Sequence, residues 1–258
     1  MRLKAVAGLS GCRWFSSVLL AGLFILLLYR FDLIESALSP WLRGRSNLVN
    51  RASLPQLALQ HIFMVGLSSG LSLVLGLGAG IAVSSGRGRQ LRSLILDLVS
   101  VAETLPSAAV IALAVPLIGY GYWPTVLALV LYGTLPILRN TLIGLDQTDP
   151  ALLEAAVGMG MKTLQVFFRV RLPLAFPAII SGFRTSLIIN TSAATLGAAV
   201  GAGGFGVPIV SGLRAMDTIT ILRGALPVTV LALLLDSVVV SLQQAGVRRL
   251  WISATTRT

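Results

Sequence analysis

Asp149-Pro-Ala-Leu-Leu-Glu-Ala-Ala-Val-Gly-Met-Gly-Met-Lys-Thr-Leu-Gln-Val-Phe-Phe-Arg-Val-Arg-Leu-Pro173 lies between apolar runs long enough to cross a bilayer. It is the longest polar-containing interval in the second half of the chain that still reads as folded. Asp149-Pro150 is a helix start: a side-chain oxygen for the free N–H groups, then a residue pre-set for the first turn. Leu152, Leu153, Ala156 and Val157 follow on one side at helical spacing, with Glu154 off it. Gly158 and Gly160 weaken and end this short helix. Thr163 can cap a second helix, Leu164 to Val170, which Leu172-Pro173 stops. The interval reads as a compact pair of helices carried outside the bilayer. Ala155, Ala156, Gly158 and Gly160 keep its surface small, so another protein's backbone can approach closely. The blander alternative is an amphipathic surface helix with no partner.

The composition agrees with a membrane setting. Of 258 residues, 55% are hydrophobic and 11% charged, with a mean hydropathy of +0.89. Soluble domains carry about 25% charged residues. The fold class is therefore an all-α integral membrane protein. The net charge of +11 would suggest nucleic acid in a soluble protein. In a membrane protein it reads as the cytoplasmic excess of Lys and Arg, which also meets anionic lipid, so no nucleic-acid partner is expected. One cysteine, Cys12, excludes an intramolecular disulfide and a cysteine metal site. One histidine, His61, excludes a histidine metal cluster and reads as an interfacial residue.

Six spans account for the chain. The first, Trp14 to Tyr29, follows Arg2, Lys4 and Arg13; a secretory signal has the same shape, but no small-x-small cleavage site follows, so it reads as an uncleaved span. Phe31 to Gln60 reads as an extramembrane segment, with Trp41 at the interface. Further spans are placed at about 61–83, 93–119, 124–145, 176–200 and 221–245. Arg87, Arg89 and Arg92 mark the loop after the second as cytoplasmic. Gly201 to Thr220 reads as a glycine-rich external connection. With the N-terminus inside, thirteen lysines and arginines lie inside and six outside, which also puts 149–173 and the C-terminus in the cytoplasm. Residues 1–59 form an N-terminal span and outer loop, 60–246 a core domain, and 247–258 a cytoplasmic tail. There is no internal repeat of the kind secondary transporters show.

Glu103, placed within the third span, would attract a cationic solute, or be protonated, or pair with an arginine. The fifth span carries a polar stripe of Ser181, Arg184, Thr185, Ser192 and Thr195, with Asn190 and Thr191 beside it. The stripe reads equally as the lining of a translocation path and as interhelical hydrogen bonding. Arg184 and Asp236 fall at nearly the same depth in consecutive antiparallel spans, about 12 and 13 Å from the cytoplasmic ends at the helical rise. An ion pair between them is expected, with Glu103 as the competing partner.

Glu154-Ala155-Ala156, then Gly160, Val170 and Leu172-Pro173, at this spacing, resemble the coupling loop of ATP-binding-cassette importer permeases, with Val170 where the family has Ile. The resemblance narrows over Thr104-Leu105-Pro106-Ser107, Leu135-Pro136-Ile137-Leu138-Arg139-Asn140, Asp149 to Ala156, and Ala194-Thr195-Leu196 through Gly206. These look like the osmoprotectant permeases, importers of glycine betaine, choline or carnitine, over roughly residues 60 to 246. The glycine-rich 201–206 loop is shared with methionine and phosphonate importers.

The resemblance implies a type I importer permease fold in the bacterial inner membrane. It assigns the ATPase contact to Glu154, Ala155, Ala156, Gly158, Gly160, Leu172 and Pro173. It implies two ATPase subunits as partners, a second permease copy or paralogue, and an external solute-binding protein. No cofactor would bind this chain; ATP and magnesium belong to the ATPase, since the chain has no Gly-x-x-x-x-Gly-Lys-Ser/Thr loop. Methionine, phosphonate or sulfonate import by the same machinery is the alternative, an ion-coupled carrier a more distant one. A membrane-bound enzyme lacks a nucleophile–base or metal constellation.

Overall fold

The computed structural model describes residues 2–38, 53–84 and 90–255, with side chains at 14–38, 53–84 and 90–244. Trp41, Arg43, Arg45, Arg51, Arg87 and Arg89 lie outside the described residues, as do the side chains of Arg2, Lys4, Cys12, Arg13, Arg248 and Arg249. The described residues form α-helices joined by short turns. In order these are α1 (Arg2–Tyr29), α2 (Phe31–Leu38), α3 (Leu54–Ser84), α4 (Arg92–Glu103), α5 (Ser107–Ile118) and α6 (Tyr122–Asp146). Then come α7 (Pro150–Gly158), α8 (Thr163–Val166), α9 (Leu172–Ala193), α10 (Gly206–Ala215) and α11 (Thr218–Thr255). Among the described residues, four stretches are long and apolar enough to cross a membrane: Leu54–Ser84, Tyr122–Asp146, Thr163–Val200 and Thr218–Gln244. Two bent helix pairs bring the number to six if each counts as one span.

Helices α3, α6 and α9 form the centre. Apolar faces alone give little drive to associate in lipid, so close approach through small residues does the work. A methyl group on Gly80 of α3 would come within 2.6 Å of Thr141 Cγ2 on α6, and one on Gly182 of α9 within 2.7 Å of the Pro136 carbonyl. At those distances no side chain larger than hydrogen fits. Around this centre α1 lies along α11. Phe24 and Leu27 of α1 share a core with Phe205 and with Val230 and Leu231 of α11. Ser17 and Ser237 join the same two helices by a 2.7 Å hydroxyl hydrogen bond.

Three expectations are corrected by the structure. The third span is not continuous: α4 and α5 meet at 93° across Thr104–Pro106. Pro106 is extended (φ −66°, ψ 127°), so the helix stops before it and restarts at Ser107. Glu103 therefore ends α4 instead of sitting mid-helix. Second, α3 begins at Leu54, because Gln56 Oε1 accepts from the Ser53 N–H at 3.2 Å and Pro55 suits the first turn. His61 thus lies two turns inside a helix and is fully buried, not interfacial. Its Nε2 donates to the Thr191 carbonyl at 3.0 Å.

Third, the stretches at 31–38 and 201–220 are more ordered than a loop reading allows. Phe31–Leu38 is helical and buries Phe31, and α10 follows Phe205, which is itself fully buried. Residues 194–200 continue α9 as a tight three-residue-per-turn helix, within the fifth span as expected. Helix α11 itself runs on to Thr255, so the tail is helical over 247–255.

Candidate functional site: the α7–α8 knob and the α4–α6–α9 cavity

The knob is built from its cap upward. Asp149 Oδ1 accepts from the Ala151 N–H at 2.9 Å, starting α7 as its sequence indicates. Gly160 holds φ +81° after α7, a backbone that favours glycine. Thr163 is not the cap of α8. Gln165 Oε1 instead accepts from the Lys162 N–H at 2.8 Å, so the helix starts one residue earlier.

Nor does Pro173 end α8. A wide π turn at Phe167–Arg171 carries the chain into α9, with the Leu172 N–H donating five residues back to the Phe167 carbonyl. Widening the turn lets a proline follow in the first turn of α9 without a broken ladder. Arg171 fastens the arrangement: its Nη2 donates to the Leu145 carbonyl at 3.1 Å, one of the carbonyls left open at the end of α6.

Ala156 and Val166 are the residues these two short helices bury. Glu154, Ala155, Gly158 and Gly160 are exposed, Leu172 and Pro173 half-buried, and side chains built on Gly158 or Gly160 would meet nothing within 4 Å. Leu152, Val157, Met159, Leu164 and Phe168 are also exposed. They alternate with Asp149, Glu154, Lys162, Gln165 and Arg169, a mixture unsuited to lipid tails. Together they form an exposed patch of small and apolar residues beyond the end of α6, larger than scattered surface apolar residues require.

The fifth-span stripe divides. Asn190 and Thr191 are fully buried, with Asn190 Nδ2 donating to Ser69 Oγ at 3.1 Å across to α3. Ser181, Thr185 and Ser192 are exposed on α9, and Thr195 is half-buried in the helical turn that follows it. Thr185 and Glu103 line one open cavity of about 670 Å³ between α4, α5, α6 and α9; Ser181, Arg184, Asn190, Thr191, Ser192 and Thr195 do not. Arg139 and Tyr132 line it as well. Arg139 Nη1 donates to Glu103 Oε2 at 2.9 Å. Arg139, one of the thirteen lysines and arginines placed inside by the charge count, lies within α6, about seven residues or roughly 10 Å from Asp146 at the helical rise. Glu103 is thus paired, and not with Arg184. The structure instead brings Arg184 onto Asp236, Nη2 to Oδ2 at 2.7 Å, with Nε donating to Oδ1.

Two signals in the sequence point to Arg139. It belongs to the Leu135–Asn140 stretch that carries the resemblance, and an arginine inside a span is by itself a mark of function or pairing. Among the described residues, no group of three or more His, Cys, Asp or Glu is placed to hold a metal.

Residues 51–252 match the model of the family described as binding-protein-dependent transport system inner membrane component. The osmoprotectant import permease protein OsmW of Salmonella typhimurium is 35% identical over 72% of this chain and 88% of its own length. The carnitine transport permease protein OpuCB of Listeria monocytogenes is 39% identical over 69% of this chain and 80% of its own. The choline transport system permease protein OpuBB of Bacillus subtilis is 42% identical over 60% and 74%. Among solved structures, an inward-facing form of the MetNI methionine ABC transporter superposes with a TM-score of 0.67, covering 74% of this chain and 95% of that one at 21% identity. That last likeness is one of fold.

Proposed function

The chain belongs to the binding-protein-dependent transport system inner membrane components, and on that premise we propose that it is the permease subunit of an ATP-driven importer of quaternary-ammonium osmoprotectants. Membership makes it a transport component that works with ATPase and substrate-binding partners. The observation that carries the coupling half of the reading is the α7–α8 knob, whose small and apolar residues stand exposed beyond α6 and α9. In this reading Glu154, Ala155, Gly158 and Gly160 meet a groove of the ATPase, which binds ATP and magnesium. Ala156, Leu172 and Pro173 hold the knob's shape from behind. Arg171, bound to the end of α6, passes the ATPase motion to that span.

The substrate half is supported by relatives named for osmoprotectants, carnitine and choline at 35–42% identity. The exposed face of α9, with Ser181, Thr185 and Ser192, lines the path against a second permease copy. Asn190 and Thr191 hold α3 to α9, and Thr195 supports the turn after α9. Both termini and the knob lie on the cytoplasmic side of the bacterial inner membrane, and an external binding protein delivers the solute. Co-purification with the ATPase tests the coupling half; ATP-dependent uptake of labelled glycine betaine, carnitine and choline into proteoliposomes tests the substrate.

A further inference from the structure

This inference rests on the osmoprotectant reading and narrows it. Two stretches about thirty residues apart in sequence, Glu103–Ser107 and Tyr132–Asn140, face each other across the cavity of about 670 Å³. They meet there because α4 stops at Glu103 and turns away at 93°, leaving its terminal carboxylate opposite Arg139 of α6. The two side chains are 32% and 45% exposed, so their ion pair is part of the cavity wall and open to a solute. Pro136 and Ile189 give the same wall an apolar character, while Thr185 and Tyr132 add hydroxyls.

We propose that the Glu103–Arg139 pair is a selectivity element that accepts net-neutral zwitterions, a carboxylate joined to a quaternary ammonium, in preference to net cations. Arginine presents a planar fork of donors that matches a carboxylate. A quaternary ammonium has no N–H to donate, so Glu103 holds it by charge alone. When a zwitterion enters, the pair parts and each half takes the opposite charge of the solute. The cavity then gains no net charge, and neither protein group is left alone. A cation can take Glu103 only by leaving Arg139 without a counter-charge against partly apolar walls, and discrimination arises from that unpaired charge. The names of the relatives include both kinds of solute, carnitine and choline, and so do not decide between them.

The test is uptake by the complete transporter in proteoliposomes, with its binding protein saturated in turn by glycine betaine and by choline. The wild type should move betaine about tenfold faster than choline, the ratio that 1.4 kcal/mol of discrimination gives. Arg139→Gln leaves a lone carboxylate, and the betaine-to-choline ratio should fall at least about tenfold. Should that variant fail to assemble, Arg139→Lys keeps the charge and removes the fork. It should slow betaine and leave choline unchanged. A variant that slows both solutes equally overturns the selectivity role. A wild-type complex that moves choline as fast as betaine overturns it too. If the wild type moves neither solute, the osmoprotectant reading itself fails and takes this inference with it.

Discussion

Arg184 of α9 and Asp236 of α11 form a two-pronged ion pair between consecutive spans, Nη2 donating to Oδ2 at 2.7 Å and Nε to Oδ1. An unpaired charge at mid-helix in a bilayer costs at least about 2.5–3.5 kcal/mol on insertion scales. Arg184 is 41% exposed in the isolated chain, which lowers what the pair contributes. Arg184→Gln or Asp236→Asn alone should each cost about 1–3 kcal/mol, the range for a charged hydrogen bond left unmade. The double change should cost less than either. Chemical denaturation in detergent checks this, and strictly additive losses would show that the pair is not a unit.

The knob offers a cleaner probe of ATPase docking than its second glycine. Gly160 sits at φ +81°, so any substitution there adds backbone strain to loss of contact. Gly158 ends α7 without a positive φ and has open space around it. Gly158→Leu should therefore leave the protein inserted and folded while ATP-driven uptake falls at least about tenfold, a loss of roughly 1.4 kcal/mol of coupling. Wild-type uptake and ATPase stimulation in that variant would remove the docking surface from this face.

Sidedness is tested by single cysteines in a Cys12→Ser background. Gly203 is a poor reporter, since φ is +86° and a Cβ would lie 2.5 Å from Gln60 Oε1. Ala215, at the exposed end of α10, and Lys162, in the knob, are suitable. Ala215→Cys should react with an impermeant thiol reagent added outside intact cells, and Lys162→Cys only after permeabilisation. Labelling in the opposite sense would reverse the orientation and place the knob away from ATP.

Much of this architecture is legible in the residues themselves. Asp149-Pro150 announces α7, and the matched depths of Arg184 and Asp236 foreshadow their pairing. What escapes a linear reading is where the chain bends without leaving the membrane protein's body. Apolar residues dominate on both sides of Thr104–Ser107, so a hydropathy average over the whole stretch joins α4 to α5; the backbone restriction before Pro106 separates them. The cavity follows from that break and is equally hidden. Likewise, residues 201–220 read as a loop by glycine content, yet Phe205 supplies the buried anchor that lets α10 fold against α11. The polar stripe of α9 looked uniform because helical spacing cannot tell a neighbouring helix from open space.

The α6–α9 contact gives a packing prediction. A Cβ at Gly182 would meet the Pro136 carbonyl at 2.7 Å, Asn140 Cβ at 2.8 Å and Ile137 Cα at 3.1 Å. Two of these three are backbone atoms, which cannot swing aside. Gly182→Ala should destabilise the protein by about 1–3 kcal/mol through overpacking. Because Pro136 and Asn140 also line the cavity, uptake should fall along with the melting temperature in detergent. An unchanged melting temperature would mean that the two helices do not pack this closely.

The most direct test of the account is reconstitution of this permease with its ATPase and binding-protein partners in liposomes that hold no ion gradient. Labelled glycine betaine should accumulate only with ATP on the knob side and the binding protein on the other. Accumulation driven by an imposed proton or sodium gradient, with no need for ATP or the ATPase, would contradict it.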